Sequence, residues 1–226
     1  MGKLSIIGMP IGNLGDITLR ALEVLKGVDI IAAEDTRVTK KLLSHFDIHT
    51  DTIAYHAHSG EKGVEKVLEL LRVGKWVGVV SDAGTPGISD PGSELVSRIR
   101  DELPEVVIDA VPGASALTSA LSIAGVHTAR FHFLGFLPHK KGRKTLFAEI
   151  ANEEHTVVFY ESPHRIMKTL DSLVEVLDAT KQVVVLRELT KMHEEVVRGS
   201  AQEVCDHFVA HADTVRGEFV VVVASC

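Results

Sequence analysis

The stretch "WVGVVSDAGTPGISDPGSELVSRIR" (Trp76–Arg100) passes from an all-apolar run through a glycine–proline loop into a charged, amphipathic segment. Trp76–Val80 has no polar face, which predicts a strand buried on both sides, as in a parallel sheet. Ser93–Arg100 predicts a helix. Strand, loop and helix in that order form the repeating unit of an open α/β fold, whose ligands gather outside the carboxyl ends of the strands. The loop between them holds more chemistry than a connection needs. Gly84, Gly87 and Gly92 allow backbone conformations closed to other residues and let a ligand come close. Pro86 and Pro91 stiffen the loop and reduce the entropy lost when it closes on something. Its amide N–H groups, with Asp82, Thr85, Ser89 and Asp90, offer donors and acceptors that suit a zwitterionic ligand bearing hydroxyls and an amino-acid tail.

The same pattern extends on either side. Leu4–Ile7 and Val28–Ala33 predict strands, and Asp16 is placed to cap a helix carrying Leu19, Leu22 and Leu25 and ending at Gly27. Val64, Val67, Leu68 and Leu71 follow helical spacing over residues 61–73, Val106–Ala110 predicts a strand, and Ala114–Ala124 a small-residue helix. After Gly125 the texture changes. Strands are predicted at Phe131–Leu137, Thr156–Tyr160, Gln182–Arg187, Glu195–Arg198 and Gly217–Ala224, with helices at 163–177 and 200–211. Several follow one another without a helix between, so this half predicts a mixed sheet. The expected architecture is therefore two α/β domains, residues 1–113 and 114–226, the first with a mostly parallel sheet.

Composition narrows the function. The chain has 226 residues, 45% hydrophobic and 24% charged, enough for a sizeable core. A net charge of −7 is the wrong sign for coating nucleic acid over a whole surface, although a local basic patch is compatible with it. Cys205 and Cys226 form no disulfide framework, and residues 1–30 show neither a secretory signal nor a run long enough to span a bilayer. The expectation is a cytoplasmic protein with no membrane partner.

Three further loops follow strands of the first half: "GMPIGNLGD" (Gly8–Asp16), "AEDTR" (Ala33–Arg37) and "VPGASA" (Val111–Ala116). Taken singly they read equally as a plain connection, a solvated turn with a helix cap, and a helix start. Their shared edge is what points to a site. A dinucleotide-binding fold is the nearest rival, with Gly8, Gly12 and Gly15 before a helix and Glu34/Asp35 ending the next strand. Here, however, the spacing is G-x-x-x-G-x-x-G with Pro10 inside the turn, which departs from the fingerprint. Neither a phosphate-binding glycine–lysine loop nor a Gly-x-Ser-x-Gly elbow occurs. His45/His49 and His207/His211 have i, i+4 spacing but lack the glutamate of a zinc hydrolase motif, so they read as solvated helix faces and no metal is expected.

"GMPIGNLGDIT", "AEDTR", "SDAGTPGISDPG", "VPGASA", "FYESPHRI" and "RGEF", in this order, resemble the bacterial small-subunit ribosomal RNA ribose 2′-O-methyltransferase family of the tetrapyrrole methylase superfamily. The superfamily's Gly-Asp-Pro core becomes Gly84-Thr85-Pro86 here. The resemblance implies S-adenosylmethionine as methyl donor, held in a cleft between two α/β domains by Pro10, Gly84, Thr85, Ile88, Ser115, Ala116 and Tyr160, with Asp82 in the same loop. It also implies a homodimer and an acceptor ribose, a cytidine of the decoding region, in small-subunit RNA or the 30S subunit; members of the family usually carry a small C-terminal helical module that these residues do not include. Methyl transfer to a 2′-OH calls for alignment and a proton acceptor. Glu34 and Asp35 at the ligand edge, and Lys191, His193 and Glu194 in "RELTKMHEE", are the candidates. Arg37, Lys40, Lys41, Lys140, Lys141, Arg143 and Lys144 are candidate phosphate contacts, the last four in the basic loop "PHKKGRK" (Pro138–Lys144). A tetrapyrrole methyltransferase and a non-catalytic nucleoside- or RNA-binding module are the alternatives. The low aromatic content, 5%, and the basic loops speak against the tetrapyrrole enzyme.

Overall fold

A computed structural model describes residues 1–56, 60–89 and 92–225. Asp90, Pro91 and Cys226, singled out above, lie outside the described residues. The chain forms two compact units, Met1–Ser115 and Ala116–Cys226.

In the first unit, β1 (Lys3–Ile7), β2 (Ile30–Ala33), β3 (Thr52–Ala54), β4 (Trp76–Val80) and β5 (Val107–Val111) form one sheet in the order β3-β2-β4-β1-β5. Every pairing is parallel, with Ile6 facing Val79 on one side and Ala110 on the other. The connecting helices are α1 (Leu19–Gly27), α2 (Thr36–His45), α3 (Gly60–Arg72) and α4 (Gly92–Glu102). Strand residues alternate between two cores, because successive side chains point to opposite faces. Leu4, Val77 and Val79 pack with Val67, Leu68 and Leu71 of α3 and Leu95 and Ile99 of α4. Ile7, Ile31 and Val80 pack with Ala21 and Leu25 of α1 and Leu43 of α2. Full burial of each such Leu, Ile or Val stabilises the unit by about 1.5–3 kcal/mol.

Several local expectations are corrected. Thr18, not Asp16, caps α1, its hydroxyl accepting from the Ala21 amide at 3.1 Å. Asp16 instead ends a 3-10 turn, Leu14–Asp16. Leu19 is 80% exposed: the buried face runs through Ala21 and Leu25, and two residues back is roughly 200° around a helix. The bounds of α2 and the short edge strand β3 were not anticipated, and β2 is shorter than Val28–Ala33.

The second unit contains α5 (Ala116–Ile123), β6 (Phe131–Phe136), α6 (Arg143–Asn152), β7 (Thr156–Glu161), α7 (Ile166–Val176), β8 (Gln182–Arg187), β9 (Glu195–Ser200), α8 (Ala201–Ala210) and β10 (Phe219–Val223). Its sheet runs β6-β7-β10-β8-β9 and is mixed, since β6 and β7 are parallel while the other pairs are antiparallel. Phe147, Phe159, Leu170, Val185, Phe208 and Val221 centre the core between one face and helices α6, α7 and α8. α8 begins with a reciprocal capping box between Ser200 and Glu203. Two α/β layers, one parallel and one mixed, agree with the sequence reading.

Candidate functional site

The loops that leave the carboxyl ends of β1, β2, β4 and β5 are tied to one another. Met9 and Gly84 exchange backbone hydrogen bonds, Met9 N donating to Gly84 O at 2.8 Å and Gly84 N to Met9 O at 3.1 Å. The Thr85 hydroxyl donates to Ala114 O at 3.4 Å. Asp82 Oδ1 accepts from the Asp35 amide at 2.9 Å, while Glu34 Oε2 accepts from the Asp82 amide at 3.3 Å. β2 and β4 are neighbours whose following connections leave in opposite directions, β2 outward to β3 and β4 across to β5. Asp82, Glu34 and Asp35 thus meet at a switch point, where open α/β sheets place ligands.

Glycine makes this junction possible. Gly84 has φ +74, and a Cβ there would lie 3.5 Å from Ile11 Cγ2 and 3.7 Å from Ala114 O, in the space between three loops. Gly8 and Gly113 bring two backbones together: a Cβ on Gly8 would lie 2.6 Å from Gly113 N, and one on Gly113 2.7 Å from Gly8 O. Sequence reading assigned no role to Gly113, because the contact joins strand ends a hundred residues apart. Of the other predicted donor contacts in this unit, Pro10 is buried, Thr85 and Ser115 are half-buried, and Ile88 is 48% exposed.

The acidic groups differ in character. Asp35 caps α2, accepting from the Arg37 amide at 2.8 Å and pairing with the Arg37 guanidinium at 2.7 Å. The hydrogen bonds from Arg37 hold its carboxyl down at about 2. Such a carboxylate is a weak proton acceptor. Arg37 pairs with this cap while its side chain stays 86% exposed.

In the second unit, the Tyr160 ring lies 5.0 Å from Phe133 and 5.5 Å from Phe136, centroid to centroid. Burial raises the pKa of its hydroxyl, partly offset by a hydrogen bond from the Leu117 amide. The Tyr160 hydroxyl therefore lies at the first turn of α5. Lys191 and Glu194 belong to the loop joining β8 and β9. Burial disfavours the Lys191 ammonium, but bonds to Glu188 and Glu218, both 2.8 Å, outweigh it and raise the pKa. A lysine held protonated is a donor, not a base. Glu194 turns back to accept from the Thr190 amide at 2.6 Å, while His193 is exposed.

The basic loop is shorter than expected. Arg143 starts α6 and is only 8% exposed. It donates to the Thr169 hydroxyl at 2.6 Å and to Pro138 O at 3.2 Å, and lies 3.6 Å from Glu161. Arg143 is therefore not a phosphate contact, because its charge is spent on the buried Glu161. Lys140, Lys141 and Lys144 are exposed. His45 and His49 do not share a helix face, since α2 ends at His45, and His207 pairs with Glu195 at 2.9 Å rather than being merely solvated. Among the described residues, no group of three or more His, Cys, Asp or Glu is placed to hold a metal, and no helix is long and apolar enough to cross a membrane.

Residues 3–205 match the family described as Tetrapyrrole (Corrin/Porphyrin) Methylases. The ribosomal RNA small subunit methyltransferase I of Synechocystis is 47% identical over 225 residues, covering 99% of this chain and 79% of that protein. The protein of the same name from Thermotoga maritima is 45% identical, covering 92% of each. Among solved structures, the methyltransferase CobJ aligns with a TM-score of 0.72 at 17% identity, covering 100% of this chain and 95% of that one. A uroporphyrin-III C-methyl transferase from Thermus thermophilus, complexed with S-adenyl homocysteine, aligns at 0.67 and 18%, covering 99% and 97%. At such identities these two establish a common fold and nothing finer.

Proposed function

We propose, for a chain that belongs to the tetrapyrrole (corrin/porphyrin) methylases and among them to the ribosomal RNA small subunit methyltransferase I family, that it methylates a ribose 2′-OH of small-subunit ribosomal RNA with S-adenosylmethionine as donor. The observation that carries this reading is the junction of the Gly8–Ile11, Asp82–Ile88 and Gly113–Ser115 loops around Gly84. Gly84 takes φ +74 there, a conformation that favours glycine, and such a loop suits a ligand held by backbone contact. Within the first unit, we assign Pro10 and Ile88 as apolar walls, Gly84 as the close approach, and Asp82, Thr85 and Ser115 as polar contacts. When bound, the donor supplies a methyl group on a positively charged sulfur.

The chain's own task is to align the acceptor and take its proton. The Arg37 bonds that lower the Asp35 pKa and the two carboxylates that raise the Lys191 pKa weigh against either group as that acceptor. Glu34, at the switch point, is the group we assign as proton acceptor. The net charge of −7 confines phosphate contact to local clusters, and Lys140, Lys141 and Lys144 form one. Calorimetric titration with S-adenosylmethionine and with its demethylated product tests the donor half of the reading. The wild type should bind both, and Gly84→Val, forced to φ +74 against Ile11 and Ala114, should bind at least tenfold more weakly. Equal binding by a folded Gly84→Val protein rules out this loop as the donor site.

A further inference from the structure

Phe136 is 57% exposed at the end of an edge strand, an unusual place for a large apolar ring. A β-bulge puts it there. Phe133 pairs with Val158 and Phe136 with Tyr160, so β6 advances three residues while β7 advances two, and Gly135 takes φ +61 in between. Residues three apart on a regular strand point to opposite faces; the bulge turns both rings to one face, against Tyr160. The same irregularity sends Leu134 and Leu137 together into the core on the opposite face. The outcome is an aromatic group with Phe136 outermost.

The segment after Phe136 is held rigidly. Arg165 donates to Leu137 O at 2.8 Å and Arg143 to Pro138 O at 3.2 Å. Both arginines are fixed by the fully buried Glu161, 2.7 Å from Arg165 and 3.6 Å from Arg143. Beyond this clamp come the exposed Lys140 and Lys141, then the N-terminus of α6, whose cap Gly142 contributes no side-chain bond. An exposed ring is therefore followed, a few residues along the chain, by two exposed lysines and the positive end of a helix. A single-stranded nucleic acid has this complementarity: a base to stack on an aromatic face and, a few ångströms away, phosphates for cations.

We infer that Phe136, backed by Phe133 and Tyr160, is a stacking platform for an unpaired base of the RNA substrate. This rests on the proposed function, which supplies the RNA. The lysines beyond the clamp take the adjoining phosphates, and Glu161 acts as a positioning residue for both.

The test is fluorescence anisotropy with a labelled single-stranded RNA oligonucleotide over a range of salt, with donor calorimetry and sedimentation on the same samples. Phe136→Ala should weaken RNA binding by about 5- to 150-fold. It should leave the salt slope, donor affinity and oligomeric state unchanged, and Phe136→Trp should restore binding. Lys140→Ser with Lys141→Ser should instead make the slope shallower by about 0.7 for each phosphate no longer neutralised. Wild-type RNA affinity in Phe136→Ala overturns the platform while leaving the methyltransferase reading intact. A changed oligomeric state in that variant also overturns it, because the ring then serves a protein contact. If the wild type neither binds nor methylates RNA, both readings fall.

Discussion

Replacing Gly113 by Ala puts a methyl carbon 2.7 Å from the carbonyl oxygen of Gly8 and 2.8 Å from its carbonyl carbon. Ordinary contact begins near 3.4 Å, so the ends of β1 and β5 must part by about 0.7 Å. Neither partner is a flexible side chain that could swing aside. Gly8 N donates to Val111 O at 2.9 Å, and Met9 is bonded to Gly84 on the other side, so the displacement spreads into the donor loops. Overpacking of this kind costs about 1–3 kcal/mol. At roughly 2–4 °C for each kcal/mol in a chain of this size, the midpoint of thermal unfolding should fall by about 2–12 °C. Donor affinity should fall with it. Gly8→Ala opens the same gap from the other side, with its Cβ 2.6 Å from Gly113 N, so the double variant should be destabilised by less than the sum of the two. Gly142→Ala is the control: its φ is +80 but nothing lies within 4 Å, so it carries backbone strain alone and leaves the donor site untouched. The assays are thermal unfolding by circular dichroism and calorimetric donor titration. A Gly113→Ala protein that melts and binds like the wild type refutes the close approach and the coupling of the loops built on it.

Other outcomes rest on the same geometry. Glu34→Gln keeps an oxygen for the Asp82 amide but removes the proton acceptor, so kcat should drop by about 10²–10⁴ with donor affinity retained; an unaltered kcat excludes Glu34. The folded Asp35 carboxyl lies near 2, below its ordinary 3.8, so its contribution to stability is present above pH 4 and is lost as pH falls toward 2. Arg37→Ala should bring its midpoint, followed by carboxyl-carbon NMR, back toward the ordinary value. Glu161→Gln leaves two arginines facing a neutral group in a buried site and should cost about 3–5 kcal/mol in chemical unfolding. A loss below 1 kcal/mol would show that the clamp is not held by charge.

The parallel and mixed sheets were legible because burial on both faces leaves a direct trace: Trp76–Val80 and Phe219–Val223 have nothing polar to offer water. The loops around Gly84 were legible as candidates, since glycine and proline at strand ends restrict what the backbone can do. The bounds of α2 were hidden by its polarity. Only Thr39 and Leu43 are buried in its ten residues, so its apolar stripe is too thin to register, and Asp35 reads equally well as a turn. Arg143 looked like part of a basic loop because its partner Glu161 lies eighteen residues further on, beyond any local pattern. The Gly8–Gly113 approach and the bulge at Gly135 depend on neighbouring strands, which a single stretch of sequence does not display.

Methyl transfer itself decides whether the chain acts on a ribose of small-subunit RNA. Purified chain, S-adenosylmethionine labelled in its methyl group, and small ribosomal subunits or free small-subunit RNA are incubated together, and the RNA is digested to nucleosides. Label should appear in one 2′-O-methylated nucleoside and be lost in the Gly84→Val and Glu34→Gln variants. Label in a base, label on a tetrapyrrole offered in the same tube, or none in RNA under conditions where the donor is bound, would contradict the account.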